Sequence, residues 1–404
     1  MRSGYTTGTC AAAAVLAAAW HTFAGRDSSR CQVELPGGGK AEIEARRAEP
    51  ETAADGCVWF SVKKDAGDDP DITDGALIQA AVEPLEKREQ DDRGREREEG
   101  LWYRSEEYPF LFLTGGPGIG VVTRPGLACP PGFYAINPVP RTMIFRTAGQ
   151  LYRSLGMRGD YLIRIRIPGG EALAEKTFNP KLGICGGLSV LGTSGIVRPM
   201  SEEALTETIR LEIHMRAAAG ENSLILVPGN YGERFLKENL GISPKWAVHC
   251  SNFVAFSIRT AVRENMKHIL FTGHMGKLVK VAGGAPNTHS RYGDRRMEIL
   301  AESLERTAQG PERMQKSLSR TDLEDVKRQI LACNTVDGAI GILEGKGIRE
   351  PVMADVTERI REQMDRWGGG KTEIQVLTFS EVYGILGMSS LCGLMIEKWR
   401  RRQR

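Results

Sequence analysis

The sequence predicts a two-domain α+β / α/β protein. Residues 1–195 read as an N-terminal α+β domain with a mixed sheet, and residues 196–404 as a C-terminal α/β domain with a mostly parallel sheet covered by helices. Three observations carry this. A chain of 404 residues is too long for one ordinary hydrophobic core. After Ser201, strand–loop–helix units recur at regular spacing, the pattern of a parallel sheet covered by helices. Before it, short alternating pieces are separated by glycine turns, with one long alanine helix among them.

The chain opens on a loop feeding a helix. Thr6, Thr7 and Thr9 are candidate N-caps, and alanine then dominates to Trp20. So slim a helix suits close packing in a core or the approach of a large flat ligand, and a free helix start attracts anions. Cys31 to Leu35, Ala41 to Ala45 and Cys57 to Val62 read as strands. Asp65, Asp68, Asp69, Asp71 and Asp74 crowd the next loop, without calcium-loop spacing. A helix is expected over Ile72 to Val82, and Lys87 to Gly100 reads as a solvated charged excursion.

Phe110 to Thr114 runs into Gly115-Gly116-Pro117-Gly118-Ile119-Gly120. A strand pattern follows rather than a helix, so the glycines read as a turn and not a phosphate loop. Ala135 to Arg141 is stiffened by two prolines and ends in an arginine suited to a bidentate carboxylate contact. Tyr161 to Ile167 alternates as a half-buried strand, and Lys176 to Met200 is a long glycine-rich stretch of the kind that carries function.

Ser201 caps a helix running to about Ala219. Ser223 to Val227 then leads through Pro228-Gly229-Asn230 into a helix, and Trp246 to His249 through Cys250-Ser251-Asn252 into another. Ile269 to Thr272 leads into the turn Gly273-His274-Met275-Gly276-Lys277, and Ile374 to Thr378 through Ser380-Glu381 into a helix near Val382. These four loops are expected on one edge of the sheet, where open α/β sheets bind ligands. The Gly273 turn has neither P-loop nor dinucleotide spacing. It is either an anion-binding helix start or a plain strand-to-helix turn. Helices over Glu298 to Ala308 and Asp322 to Asn334 cover the sheet, and Gly368-Gly369-Gly370 reads as a flexible link.

Composition narrows the function. The net charge of +3 argues against a dedicated nucleic-acid binder, and the basic run from Lys398 to Arg404 reads as a frayed tail. No pair of the eight cysteines has Cys-x-x-Cys spacing, so there is no zinc or iron–sulfur signal, and the aspartate loop reads as a turn ahead of a helix or as a hold for a hard cation. Scattered single cysteines, no long apolar segment and no signal-peptide pattern point to a cytoplasmic protein without membrane contact.

The blocks RSGYTTGTCAAAA, KDAGDDPDITDG, GLACPPGFYAINPVPRTMI, KTFNPKLGICGGLSVLGTSGIVRPMSEEAL, PGNYG and GHMGKLVKVAGGAPNTHS together resemble the cobalt-precorrin-5B C(1)-methyltransferase family of anaerobic cobalamin biosynthesis. They run in family order from residue 2 to about residue 298. The resemblance implies transfer of a methyl group from S-adenosylmethionine to carbon 1 of a cobalt corrinoid, giving cobalt-precorrin-6A. Cobalt then arrives only as part of the substrate. Ala255-Phe256, Ala285-Pro286 and Asp74 depart from what is usual in the family.

On this resemblance, Thr6, Thr7, Thr9, Arg141, Lys176, Asn179, Lys277 and Asn287 are the candidates for holding the corrinoid, whose acetate and propionate groups need cations and hydrogen-bond donors. Gly229, Asn230, Ser251, Asn252, Gly273 and Gly276 are the candidates for the methyl donor, and His274 or His289 for a base that assists proton loss. Alternative readings are a corrinoid-binding or carrier protein without transferase activity, or a nucleotide-dependent phosphotransferase. The last lacks Ser or Thr after Gly276-Lys277.

Overall fold

The computed structural model describes residues 1–48, 57–85, 102–199, 201–309 and 319–402. The charged excursion expected over Lys87 to Gly100 lies outside them. The described chain is a mixed α/β structure with several sheets. It falls into two compact units, Met1–Glu202 and Glu203–Arg404.

The first unit is organised around a six-stranded mixed sheet. Its strands lie in the order Arg46–Arg47, Phe60–Lys63, Leu77–Pro84, Tyr161–Arg166, Leu111–Gly115 and Tyr103–Arg104. Only Tyr161–Arg166 and Leu111–Gly115 run parallel. The helix Thr7–Ala24 packs on this sheet with Ala11 to Ala14 and Ala17 to Ala19 buried. Its small side chains let strands and a second helix, Pro138–Ser154, come close on different sides. The alanine run is therefore core, not a ligand face.

Two expectations fail here. Leu77–Pro84 is a strand, not part of a helix, because it bonds to a strand on each side and buries Ile78, Ala80, Ala81 and Val82. The stretch after Ala135 is not merely a stiff loop. Pro138 and Pro140 occupy the first turn of the Pro138–Ser154 helix, where a missing N–H costs nothing.

The glycine run 115–120 is a backbone crossing. A Cβ on Gly118 (φ +78°) would lie 1.9 Å from the Ile167 carbonyl oxygen, and one on Gly120 would lie 2.6 Å from that of Gly187. The Ile119 N–H donates to the Gly116 carbonyl at 3.0 Å, which makes the turn expected between strands.

The second unit holds a five-stranded sheet in the order Ala247–His249, Ser223–Val227, His268–His274, Glu373–Ser380 and Gly384–Met388. The first four strands are parallel and the last is antiparallel. Alternate residues face opposite cores, because side chains on a strand have period two. Leu224, Leu226, Ile269, Phe271, Ile374 and Val376 meet the larger helical layer. That layer includes Glu202–Ala218, Val254–Arg263, Met275–Ala282, Arg296–Ala308, Arg320–Leu331, Val336–Gly345 and Arg349–Gly368. Ile225, Val227, Leu270, Leu377 and Phe379 meet the helices Asn230–Glu238 and Cys392–Arg402 on the other face. There the Phe235 and Phe379 rings stack with centroids 4.0 Å apart.

Three further expectations are corrected. No helix starts near Val382: Glu373–Ser380 turns back through Gly384 (φ +68°) into the antiparallel strand Gly384–Met388. The basic C-terminal run is not a frayed tail over its described part. It belongs to the helix Cys392–Arg402, in which Trp399 is buried and Arg400 Nε donates to the Leu240 carbonyl at 2.6 Å. Gly368 ends a helix rather than a linker, with Gly369 in left-handed conformation as its cap. Among the described residues no helix is long and apolar enough to cross a membrane.

Candidate functional site

The strand order of the second unit locates its crevice. The chain goes from Ser223–Val227 to Ala247–His249 on one side, then to His268–His274 on the other. Connections leave in opposite directions from the two neighbouring strands Ser223–Val227 and His268–His274. That is a topological switch point, and ligands of open α/β sheets bind outside the carboxyl ends of the strands there. The loops that follow these two strands are Pro228-Gly229-Asn230 and the Gly273-His274 turn.

The two loops touch. A Cβ on Gly273 would lie 2.9 Å from Leu278 Cδ1 and 3.1 Å from Pro228 Cγ, so only glycine lets them approach this closely. Gly229 has open space where a Cβ would stand. Tyr231, 58% exposed, lies with its ring centroid 6.3 Å from that of His274, and Phe379 meets His274 edge-on at 5.7 Å. Arg234 sits over the Tyr231 ring and pairs with Glu381.

His274 caps the helix Met275–Ala282: its Nδ1 accepts the Gly276 N–H at 3.0 Å. In the neutral ring the proton must then sit on Nε2. Burial lowers the His274 pKa from 6.5, and the Asp337 carboxylate opposes that shift. The neutral ring therefore presents a donor and holds no free lone pair, which argues against the expected role as a base. His289 is exposed and caps the short turn Ser290–Tyr292, its Nδ1 accepting the Arg291 N–H at 3.2 Å. The same tautomer follows.

Because folding lowers the His274 pKa, the unfolded chain takes up this proton first on acidification. The neutral ring's contribution is complete above about pH 6.5 and is lost as pH falls through the lower folded value. Thermal melts between about pH 7.5 and pH 5 should show a larger loss for the wild type than for His274→Gln. Equal losses would contradict this.

Around the second loop, Asn252 Oδ1 accepts from Lys277 Nζ at 3.3 Å, and the Asn252 carbonyl accepts the Thr288 N–H at 3.0 Å. Asn287 Oδ1 accepts the His289 N–H at 2.9 Å, and Ser251 holds φ +51°. The structure thus brings Asn252, Lys277 and the Asn287 segment together. The Ala255 N–H donates to the Pro286 carbonyl at 3.1 Å, so two of the departing positions hold each other.

In the first unit the expected substrate residues divide. Thr6, Thr7 and Thr9 are buried, and much of their helix start is already hydrogen-bonded. Thr6 Oγ1 accepts the Thr9 N–H at 3.3 Å, the Gly8 N–H donates to the Leu191 carbonyl at 2.9 Å, and Thr9 Oγ1 donates to the Gly195 carbonyl at 2.7 Å. Asn179 is also internal, with Nδ2 donating to the Gly187 carbonyl at 2.9 Å and Oδ1 accepting from Ser189 at 3.2 Å. These groups tie the 180–195 stretch to the core. The Thr9 hydroxyl and the Asn179 amide are thus already engaged within the protein.

Lys176 is exposed. Arg141 lies over the Tyr103 ring at 4.1 Å, and its buried Nε has no hydrogen-bond partner. The aspartate loop is tied into the fold: Arg2 Nη2 donates to Asp65 at 2.8 Å, Lys64 pairs with Asp71, and Asp74 accepts the Ala66 N–H at 2.8 Å. Its charge thus serves the fold.

Sequence reasoning missed a groove of about 630 Å³ in the first unit, with Leu16, Leu35, Val139, Met143, Arg146 and Leu151 among its lining. None of the expected site residues lines it. It forms between the hairpin Arg30–Glu34/Lys40–Glu44 and one face of the Pro138–Ser154 helix, a pairing no local pattern announces.

The second unit is thus an α/β module whose topological switch point falls between the Gly229 and Gly273 loops. The comparisons with known proteins make the assignment particular. The CbiD family model matches residues 1–199, and the CbiD C-terminal domain model residues 323–390. Proteins named cobalt-precorrin-5B C(1)-methyltransferase are similar along nearly the whole chain. The one from Ruminiclostridium cellulolyticum is 38% identical over 95% of this chain and 90% of its own. That from Alkaliphilus metalliredigens is 36% identical over 98% and 94%. A third, from Clostridium perfringens, is 40% identical over 94% and 92%. A crystal structure of a cobalamin biosynthesis protein from Archaeoglobus fulgidus aligns at 22% identity over 70% of this chain and 80% of that one, with a TM-score of 0.37. The chain belongs to the CbiD family.

Proposed function

We propose that this protein methylates carbon 1 of cobalt-precorrin-5B, giving cobalt-precorrin-6A, in the assembly of the corrin ring of cobalamin, with S-adenosylmethionine as the donor. The carrying observation is that relatives bearing this activity in their names match 94% or more of the chain and 90% or more of their own length. The whole catalytic chain, not one module, is shared.

The donor suits the second unit. Gly229, Asn230, Gly273 and Gly276 stand at the switch point, with Ser251 and Asn252 on the neighbouring loop. The open space at Gly229 leaves room for a bulky ligand there. S-adenosylmethionine, when bound, supplies a methyl group carried on positively charged sulfur. The protein's own part is alignment and exclusion of water, which can contribute about 7–11 kcal/mol to such a displacement. His274 serves as an Nε2–H donor and an edge for the ligand, not as a base, because its Nδ1 accepts the Gly276 N–H.

The corrinoid suits the first unit, residues 1–195 in the division read from sequence. Arg141 offers an unpartnered guanidinium nitrogen to a carboxylate. The groove offers apolar residues to a macrocycle face, with Lys40 and Arg146 for its acidic fringe.

Calorimetric titration of S-adenosylmethionine tests the donor assignment. Binding near micromolar strength is expected for the wild type, weakened at least tenfold in Gly273→Val, whose side chain would press on Leu278 and Pro228. Unchanged affinity in a folded Gly273→Val would remove the donor from this crevice.

A further inference from the structure

The two walls of the groove in the first unit differ in chemistry. One wall is the helix Pro138–Ser154, which lays two neighbouring rows along it, each with the i, i+4 spacing of a helix face. Thr142, Arg146 and Gln150 form an exposed polar row, and Met143, Thr147 and Leu151 a more buried row beside it. The other wall is the hairpin, whose strands Arg30–Glu34 and Lys40–Glu44 pair only with each other among the described residues. Their alternation buries Cys31, Val33 and Ala41 and leaves Gln32, Glu34 and Lys40 on the exposed face, where they line the groove.

The charges along these walls are loosely matched. Arg146 meets Glu34 from wall to wall at 3.9 Å, with the two side chains 49% and 50% exposed. At that distance no hydrogen bond joins them. So long and so exposed a pair contributes little and gives way to a better partner. Lys40 stands opposite Glu34 in the hairpin register, donates to Gln32 Oε1 at 3.2 Å, and has no carboxylate partner among the described residues. The lining thus carries two cations and one acid, and the acid holds its cation weakly.

We infer that Glu34 and Arg146 form an exchangeable pair that selects for carboxylates on the corrinoid: a peripheral carboxylate of the substrate takes Arg146 from Glu34. The inference rests on the corrinoid reading of this groove and goes beyond it by giving Glu34 a role that opposes binding. A ligand carboxylate can accept two parallel N–H bonds from the guanidinium, which Glu34 at 3.9 Å does not. An amide in its place brings no charge and leaves Arg146 with Glu34. The acid therefore sets a threshold that only a charged side chain of the ligand passes. The competing account is a staple, in which the pair merely holds the hairpin against the helix.

The experiment uses the full chain and two probes with the same ring: dicyanocobyrinic acid, whose side chains end in free carboxylates, and dicyanocobinamide, in which they are amides. Dissociation constants are read from the corrin absorbance at one fixed low salt concentration. The inference expects Arg146→Gln to weaken dicyanocobyrinic acid at least tenfold and Glu34→Gln to tighten it at least threefold. Dicyanocobinamide should stay within twofold of wild type in both. Arg158→Gln removes an exposed cation just beyond the end of the same helix and should leave both probes within twofold. Weaker acid binding in Glu34→Gln, as the staple account requires, no change in either groove variant, or equal weakening by Arg158→Gln would overturn the inference. Thr147→Trp, which fills the groove, tests the reading beneath it and should weaken every probe the wild type binds at least tenfold. A wild type that binds neither probe, or a folded Thr147→Trp that binds as tightly as wild type, removes the corrinoid from this groove.

Discussion

Gly118→Ala is expected to destabilise the first unit by roughly 3–5 kcal/mol, combining a left-handed backbone penalty with overpacking in a closed core. The position holds φ +78°, and the new methyl would meet the Ile167 carbonyl oxygen at 1.9 Å and the Gly170 Cα at 3.2 Å. Backbone atoms are fixed by their own hydrogen bonds and cannot rotate away as a side chain can. The short parallel pair Gly118–Ile119 and Gly187–Leu188 would open, releasing the 180–195 stretch. Gly132→Ala is the control: it has the same kind of positive φ and nothing within 4 Å. It should cost only about 1–2 kcal/mol. Chemical denaturation of both variants measures the difference, and equal losses would show that close approach is not what position 118 requires.

Lys64→Met should cost roughly 3 kcal/mol at neutral pH, the lower end for breaking a buried ion pair because Asp71 keeps 24% of its side chain exposed. Lys64 is 2% exposed, and its ammonium donates to Asp71 and, at 2.6 Å, to Thr73. Burial pushes the Asp71 carboxyl up; the hydrogen bond and charge of Lys64, with the Thr73 donors, outweigh burial and hold it below 3.8. Its contribution is therefore present above about pH 3.8 and lost as pH falls through the folded value. Without Lys64 only burial and the Thr73 donors remain, so protonation of Asp71 comes more easily. The gap between variant and wild type should shrink below about pH 4. A gap that stays constant from pH 7 to pH 3 would contradict the ion-pair account.

The parts of the fold that were legible came from short-range pattern. The runs 223–227, 247–249 and 269–272 are strands because each is a compact apolar run ended by glycine, serine or asparagine, with helical periodicity after it. The same logic misled at Ser380. There the following residues looked helical, but Gly384 adopts positive φ and the chain reverses. Leu77–Pro84 misled for a related reason: alanine, leucine and isoleucine tolerate both helix and strand, and the choice was made by partners at Phe60–Lys63 and Tyr161–Arg166. Such distant pairing overrides local propensity.

Site chemistry was legible only where residue type decides it. The glycine turn at Gly273 and its neighbours Gly229 and Asn252 were visible as polar punctuation at strand ends. That Thr9 would spend its hydroxyl on Gly195, 186 residues away, was not. The histidines stood out by type, yet the backbone donors Gly276 and Arg291 occupy their Nδ1 atoms, and only geometry reveals that.

The central claim is methyl transfer to a cobalt corrinoid, and the direct measurement is mass spectrometry of cobalt-precorrin-5B incubated anaerobically with the protein and S-adenosylmethionine carrying a deuterated methyl group. The account predicts a product bearing one deuterated methyl group at carbon 1, formed only with donor present and lost in Gly273→Val. Corrinoid that binds and is recovered unlabelled, under conditions where the donor also binds, would contradict it and mark the protein as a corrinoid carrier.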